Sequence, residues 1–153
     1  MLKFVHPAAG LVAMLTIATF WLSTLGVELF GSHAAVVIVK TMIPWGFLLL
    51  VPALALTGAT GFALARGRWG GLISAKLRRM PFIVGNGLVV LVPAALFLAV
   101  KARAGEFDTG FYVAQGIELV AGAANLSLLG LNMRDGLRMS GRLRPSPARA
   151  APL

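Results

Sequence analysis

The sequence predicts an all-α fold: a four-helix transmembrane bundle of antiparallel up-down crossings with both termini in the cytoplasm. Three observations carry this expectation. Four apolar stretches, Ala8–Val27, Thr41–Ala65, Pro81–Val100 and Thr109–Asn132, are separated by short connections. Each reaches the roughly 20 residues that a helix needs to cross a ~30 Å hydrocarbon slab. Within them Glu118 is the only formally charged residue. The basic residues are also lopsided. Lys3, a middle stretch (Arg66, Arg68, Lys76, Arg78, Arg79) and the tail (Arg134, Arg138, Arg142, Arg144, Arg149) supply eleven of the 14, leaving Lys40, Lys101 and Arg103 for the opposite side. Cytoplasmic connections carry the excess of Lys and Arg, so the richer side is assigned to the cytoplasm.

Composition agrees. The 153 residues are 58% hydrophobic and only 12% charged, whereas soluble domains are about 25% charged. Four crossings leave no room for a separate water-soluble domain, so residues 1–144 are read as one domain and 145–153, rich in Pro and Ala, as a disordered tail. A net charge of +9 raises nucleic acid as a partner. The cations instead cluster where helices leave the apolar phase, which suits topology signals and anionic lipid headgroups. With no cysteine, disulfides, thiolate metal sites and cysteine nucleophiles are excluded. The first apolar core is too long for a cleaved signal peptide and no A-x-A-like site follows it, so it is expected to be retained.

In the first crossing Thr16, Thr19 and Ser23 are expected to bond back to their own helix. Trp21, with Trp45, Phe111 and Tyr112, falls where an outer aromatic belt would lie, and Trp69 near the inner one. The second crossing is expected to begin near Lys40–Met42. A helix from Ala34 to Ala65 would be roughly 48 Å long, more than the slab requires, so residues 32–41 should lie at the interface or extend the helix outward. Pro44 suits a first turn, while Pro52 and Pro93 should kink the second and third crossings. Ala53, Thr57, Gly61 and Ala65 place a small residue at every fourth position, a face for close helix packing. Gly67–Gly71 reads as a turn anchored by Trp69.

The fourth crossing carries a polar seam. Gln115, Glu118, Gly122, Asn125, Leu129 and Asn132 recur at alternating spacings of three and four residues. Asn86 in the third crossing is expected to meet Asn125 or Asn132. Beyond the seam, Arg134, Arg138 and Arg142 extend a basic helix to about residue 143.

Glu118 calls for an explanation, because an acid at the centre of a membrane helix costs about 2.5–3.5 kcal/mol. Lys40 is the expected partner in an ion pair. The alternatives are a protonated acid bonded to Gln115 or Ser23, or a carboxyl that titrates during proton or solute movement. His6 and His33 are the weak candidates for a cofactor, haem b, yet they flank the first crossing. About 27 residues of helix separate them by roughly 40 Å, too far to share one iron. Each is otherwise read as an interfacial headgroup contact. A copper site from His33, Met42 and Glu28 is chemically reasonable but matches no ligand spacing. No catalytic or phosphate-loop signature is present, so no cofactor and no enzyme activity are expected.

Three functions fit this outline. The first is a non-enzymatic accessory, assembly or interaction subunit of the bacterial cytoplasmic (inner) membrane. The second is a small oligomeric, proton-coupled transporter using the Glu118, Asn125 and Asn132 seam. The third is an electron-transfer subunit binding haem b or quinone. Lipid, a second copy or a larger membrane complex are the partners implied.

Overall fold

A computed structural model describes residues 2–65 and 70–141. Arg66, then Gly67, Arg68 and Trp69 of the anticipated turn, and the tail from Arg142 onward lie outside the described residues. The described chain is helical: α1 (Leu2–Phe30), α2 (His33–Ala65), α3 (Gly71–Gly85), a π-helical segment (Asn86–Leu91), α4 (Val92–Ala104) and α5 (Thr109–Met139). With α3, the π segment and α4 taken as one continuous rod, 4 helices are long and apolar enough to cross a membrane.

The rods are longer than the apolar stretches at most ends. Helix α1 starts at Leu2, not Ala8, and carries Pro7 inside it, at the expense of one ladder hydrogen bond to the residue 3 carbonyl. Helix α2 begins at His33 rather than near Lys40–Met42, because Ser32 caps it. The Ser32 hydroxyl accepts the Ala35 N–H at 3.3 Å and the Ser32 carbonyl accepts the Val36 N–H at 3.1 Å. Lys40 therefore sits about two turns inside the helix. Helix α2 stays α-helical through Pro44 and Pro52.

The third rod begins at Gly71, not Pro81, since Leu72 to Met80 contains good helix formers. Lys76, Arg78 and Arg79 are helical rather than in a loop. The effect of Pro93 falls upstream of it. The proline has no N–H to give the ladder and its ring crowds the carbonyl four residues back. The chain answers with the π segment, in which the Val92 N–H reaches the Gly87 carbonyl, five residues away.

The α4–α5 connection is tightly specified. Gly105 adopts φ 70°, its N–H bonds Ala102 O at 3.1 Å and the Glu106 N–H bonds Lys101 O at 3.0 Å, a Schellman closure that only glycine enters without strain. Asp108 then caps α5 by accepting the Phe111 N–H at 2.9 Å. At its far end α5 absorbs Arg134 and Arg138 and stops at Met139, short of residue 143, followed by Gly141 with φ 77°.

Helix α1 packs on α2 and α5, while α4 packs on α2 and α5; α2 and α5 face one another across the bundle with their backbones apart. Helix α3 packs chiefly on α5. Two apolar clusters fill the inside. One joins Ala13, Ile17, Leu50 and Ala53, with Phe20, Phe47, Leu54, Leu126 and Leu129 around it. The other joins Val36, Leu98, Ala102 and Phe111. Phe111 is thus a core residue and not part of an aromatic belt. Trp45 and Tyr112 remain exposed. The small face of α2 meets α1 directly: Ala53 lies in the first cluster and Gly10 abuts Thr57, where an added Cβ would come 3.6 Å from Thr57 Cγ2.

Candidate functional site

The α5 seam faces inward along its whole length. Phe111, Gln115, Glu118, Gly122, Asn125, Asn132 and Asp135 are all buried, while Leu129 packs against the first apolar cluster. Charge sits toward the two ends of this stripe, and each end has its own base from another helix.

At one end Lys40 is fully buried, with 0% of its surface exposed. Its ammonium donates to Glu118 Oε2 and, at 3.3 Å, to Thr24 Oγ1. The Gln115 amide donates to the same Glu118 oxygen at 3.4 Å. The long lysine stem spans the diagonal between α2 and α5, which their backbones leave open. Placement of Lys40 inside α2 makes this geometry available. The residues lie about two turns from the end of α1 (Thr24), two turns from the start of α2 (Lys40) and two to three turns from the start of α5 (Glu118). A buried charge is tolerated only when it is paired and hydrogen-bonded, and both conditions hold here. Ser23 is not a partner of Glu118, because its hydroxyl bonds back to the Phe20 carbonyl at 3.1 Å. Thr16 and Thr19 likewise bond back to Val12 and Leu15.

Several acceptors at this end lack a donor. Among the described residues, Glu28 Oε1, Thr41 Oγ1 and Gln115 Oε1 are buried atoms without a hydrogen bond. Glu28 stands one turn beyond Thr24 on the same face of α1, and the charges of Lys40 and Glu118 act on it. His33 itself is exposed and stacks on Phe107, with centroids 4.5 Å apart and planes at 13°.

The other end holds a pair that sequence reading missed. Arg79 donates to Asp135 Oδ2 at 2.6 Å and to Asn132 Oδ1 at 3.3 Å. Asp135 is 1% exposed. Arg134 lies 3.5 Å from its second oxygen, which nevertheless receives no hydrogen bond. Arg79 reads as one more topology signal in the sequence. The available clue is that Asp135 prolongs the buried stripe three residues past Asn132.

His6 is not a headgroup contact. Its Nδ1 lies 3.1 Å from both the Thr57 carbonyl and the Thr60 hydroxyl. A carbonyl only accepts, so Nδ1 carries the proton and donates to it. Gly61 makes room for the ring, since a Cβ there would come 3.1 Å from His6 Cε1. The small-residue face thus receives a histidine. The two histidines remain near opposite ends of α1.

Asn86 meets neither Asn125 nor Asn132. Its amide donates to the Ala121 carbonyl at 2.8 Å. The register differs because the third rod starts ten residues before Pro81, which carries Asn86 further along α5. Asn125 is left buried, with its Oδ1 unpartnered. Trp21 also departs from the belt: its indole N–H donates to the Leu119 carbonyl at 2.9 Å. Among the described residues no three His, Asp or Glu side chains gather into a metal-binding group.

Comparison with protein-family models, with curated proteins and with solved structures yields no match.

Proposed function

We propose that this chain is a non-enzymatic accessory or assembly subunit of the bacterial cytoplasmic membrane, docking through its helices to a larger membrane complex. Its four rods cross in alternating directions, with both termini and the basic stretch before Pro81 in the cytoplasm. The observation that carries this reading is the apolar plug between the two charged ends. On α1 the plug (Ala13, Ile17, Phe20) lies between His6 and Thr24; on α2 (Phe47, Leu50, Ala53) it lies between Lys40 and Thr57; on α5 (Leu126, Leu129) it lies between Glu118 and Asn132. A stationary scaffold needs a filled centre, and interdigitated side chains resist rearrangement. The Lys40–Glu118 and Arg79–Asp135 pairs then act as pins that fix which helices meet.

The test is purification of the tagged chain from native membranes in mild detergent. A stoichiometric partner should co-purify, the preparation should show no haem absorbance, and the chain alone should move no solute in proteoliposomes. A chain that purifies without a partner and supports flux would overturn the proposal. A second reading, an oligomeric proton-coupled transporter, is favoured by one observation: the unpartnered Asn125 Oδ1 sits between the two charged ends. In that case Glu118→Gln abolishes flux even in the fraction of the chain that still assembles.

A further inference from the structure

We propose that the Lys40 end of the bundle is a binding site for one exchangeable proton, held on Glu28 beside the Lys40–Glu118–Gln115 cluster.

The first argument is charge inventory. Helix α1 brings Glu28 to this end, α2 brings Lys40 and His33, and α5 brings Glu118. From α4 come Lys101 and Arg103. Lys101 is taken by Glu106 at 2.9 Å and Asp108 at 2.6 Å, and Arg103 is exposed. One buried ammonium therefore faces two carboxyls. Lys40 bonds to Glu118, which leaves Glu28 without a matched cation in the described structure.

The second argument is hydrogen bonding, and it is independent of charge. A carboxylate oxygen sealed from solvent with no donor is an unfavourable state, whereas a protonated carboxyl carries its own donor and needs only an acceptor. Glu28 Oε1 is sealed and undonated. A buried acceptor without a donor stands beside Glu118. Gln115 is 4% exposed, its amide nitrogen is committed to Glu118, and its Oε1 has no partner. The proton settles on Glu28 and not on Glu118, because Glu118 Oε2 already accepts from two donors, Lys40 and Gln115. Release of the proton leaves a second carboxylate competing for Lys40, so occupancy of the site is coupled to the pin between α2 and α5.

The experiment is infrared spectroscopy of the full-length chain in lipid nanodiscs, titrated with acid and base in potassium buffer and repeated in sodium. At neutral pH the wild type should show a protonated-carboxyl C=O band that moves on exchange into heavy water. The band should persist in Glu106→Gln, a surface control, and be lost in Glu28→Gln. Should Glu28→Gln fail to fold, Glu28→Asp serves instead, because its shorter carboxyl must shift the band. A wild type without the band at neutral pH, a band unchanged by substitution of Glu28, or a band erased by sodium at constant pH would each overturn the proposal. The last result would assign the site to a metal cation.

Discussion

Trp21 and Gly122 are matched across the α1–α5 interface. A Cβ at residue 122 would come 2.7 Å from Trp21 Cδ1, while the indole N–H reaches the Leu119 carbonyl less than one turn away at 2.9 Å. The absence of a side chain on one helix thus lets a large amphipathic ring on the other bond the backbone. Gly122→Ala forces the ring outward and should destabilise the bundle by about 1–3 kcal/mol, as overpacking does. Trp21→Phe loses the five-membered ring that fills the space at Gly122 as well as the hydrogen bond, so it should cost more than the bond alone, which is worth about 1 kcal/mol. Denaturant titration in mixed micelles reads both.

The Lys40–Glu118 pair yields a signature in double substitution. Lys40→Met alone strands a buried carboxylate and should cost about 3–5 kcal/mol. Pairing it with Glu118→Met removes both charges and should recover most of that loss. Unfolding free energies of the single and double variants check it. A double variant as damaged as the single one would mean that the helices are held by something other than this pair.

The Arg79–Asp135 pair should behave differently, because Arg79 is partly exposed. Arg79→Met leaves Asp135 buried, with Arg134 as its remaining nearby cation. The loss should be smaller than for Lys40→Met and confined to the α3–α5 contact. Hydrogen exchange along α3 is the measurement: protection should fall there and persist in the α1–α2 pair.

Acid should loosen the start of α5 at a pH set by Asp108. The Lys101 ammonium, and then the Phe111 N–H, hold this carboxyl below its ordinary value of 3.8. A carboxyl whose folded value is depressed contributes stability at all pH above its unfolded value and loses it as pH falls through the folded one. The α5 cap should therefore be insensitive to pH from neutrality down to the ordinary aspartate range, and fray only below it. Asp108→Asn still caps the helix but cannot pair with Lys101, and its amide exchange should show no such acid step.

Membrane helices announce themselves by apolar length, so the four rods and the inward stripe of α5 are legible in residue type and spacing. The remainder is obscured for one physical reason: apolarity marks the hydrocarbon slab, not the ends of the hydrogen-bonded ladder. A start at Pro81 displaces Asn86 along its neighbour, and an end position for Lys40 conceals how deeply it is placed. Arg79 looks like a topology signal because its carboxylate lies 56 residues away, a separation that no local pattern reports. Trp21 and Phe111 have the composition of an aromatic belt, but their partners are a glycine and an aliphatic cluster on other helices. The seam residues Gln115 and Asn125 are visible as polar, yet which of their atoms remain without a donor is a property of three-dimensional packing alone.

The π segment at Asn86–Leu91 has an evolutionary corollary. A five-residue loop of this type is equivalent to a single inserted amino acid absorbed without rotating the downstream helix. Elsewhere in the third rod, loss or gain of one residue would swing Leu98 and Ala102 away from their neighbours by about 100°. Here a one-residue deletion accompanied by replacement of Pro93 would straighten the ladder and leave the downstream face in phase. Length variation in descendants of this chain should concentrate at that point.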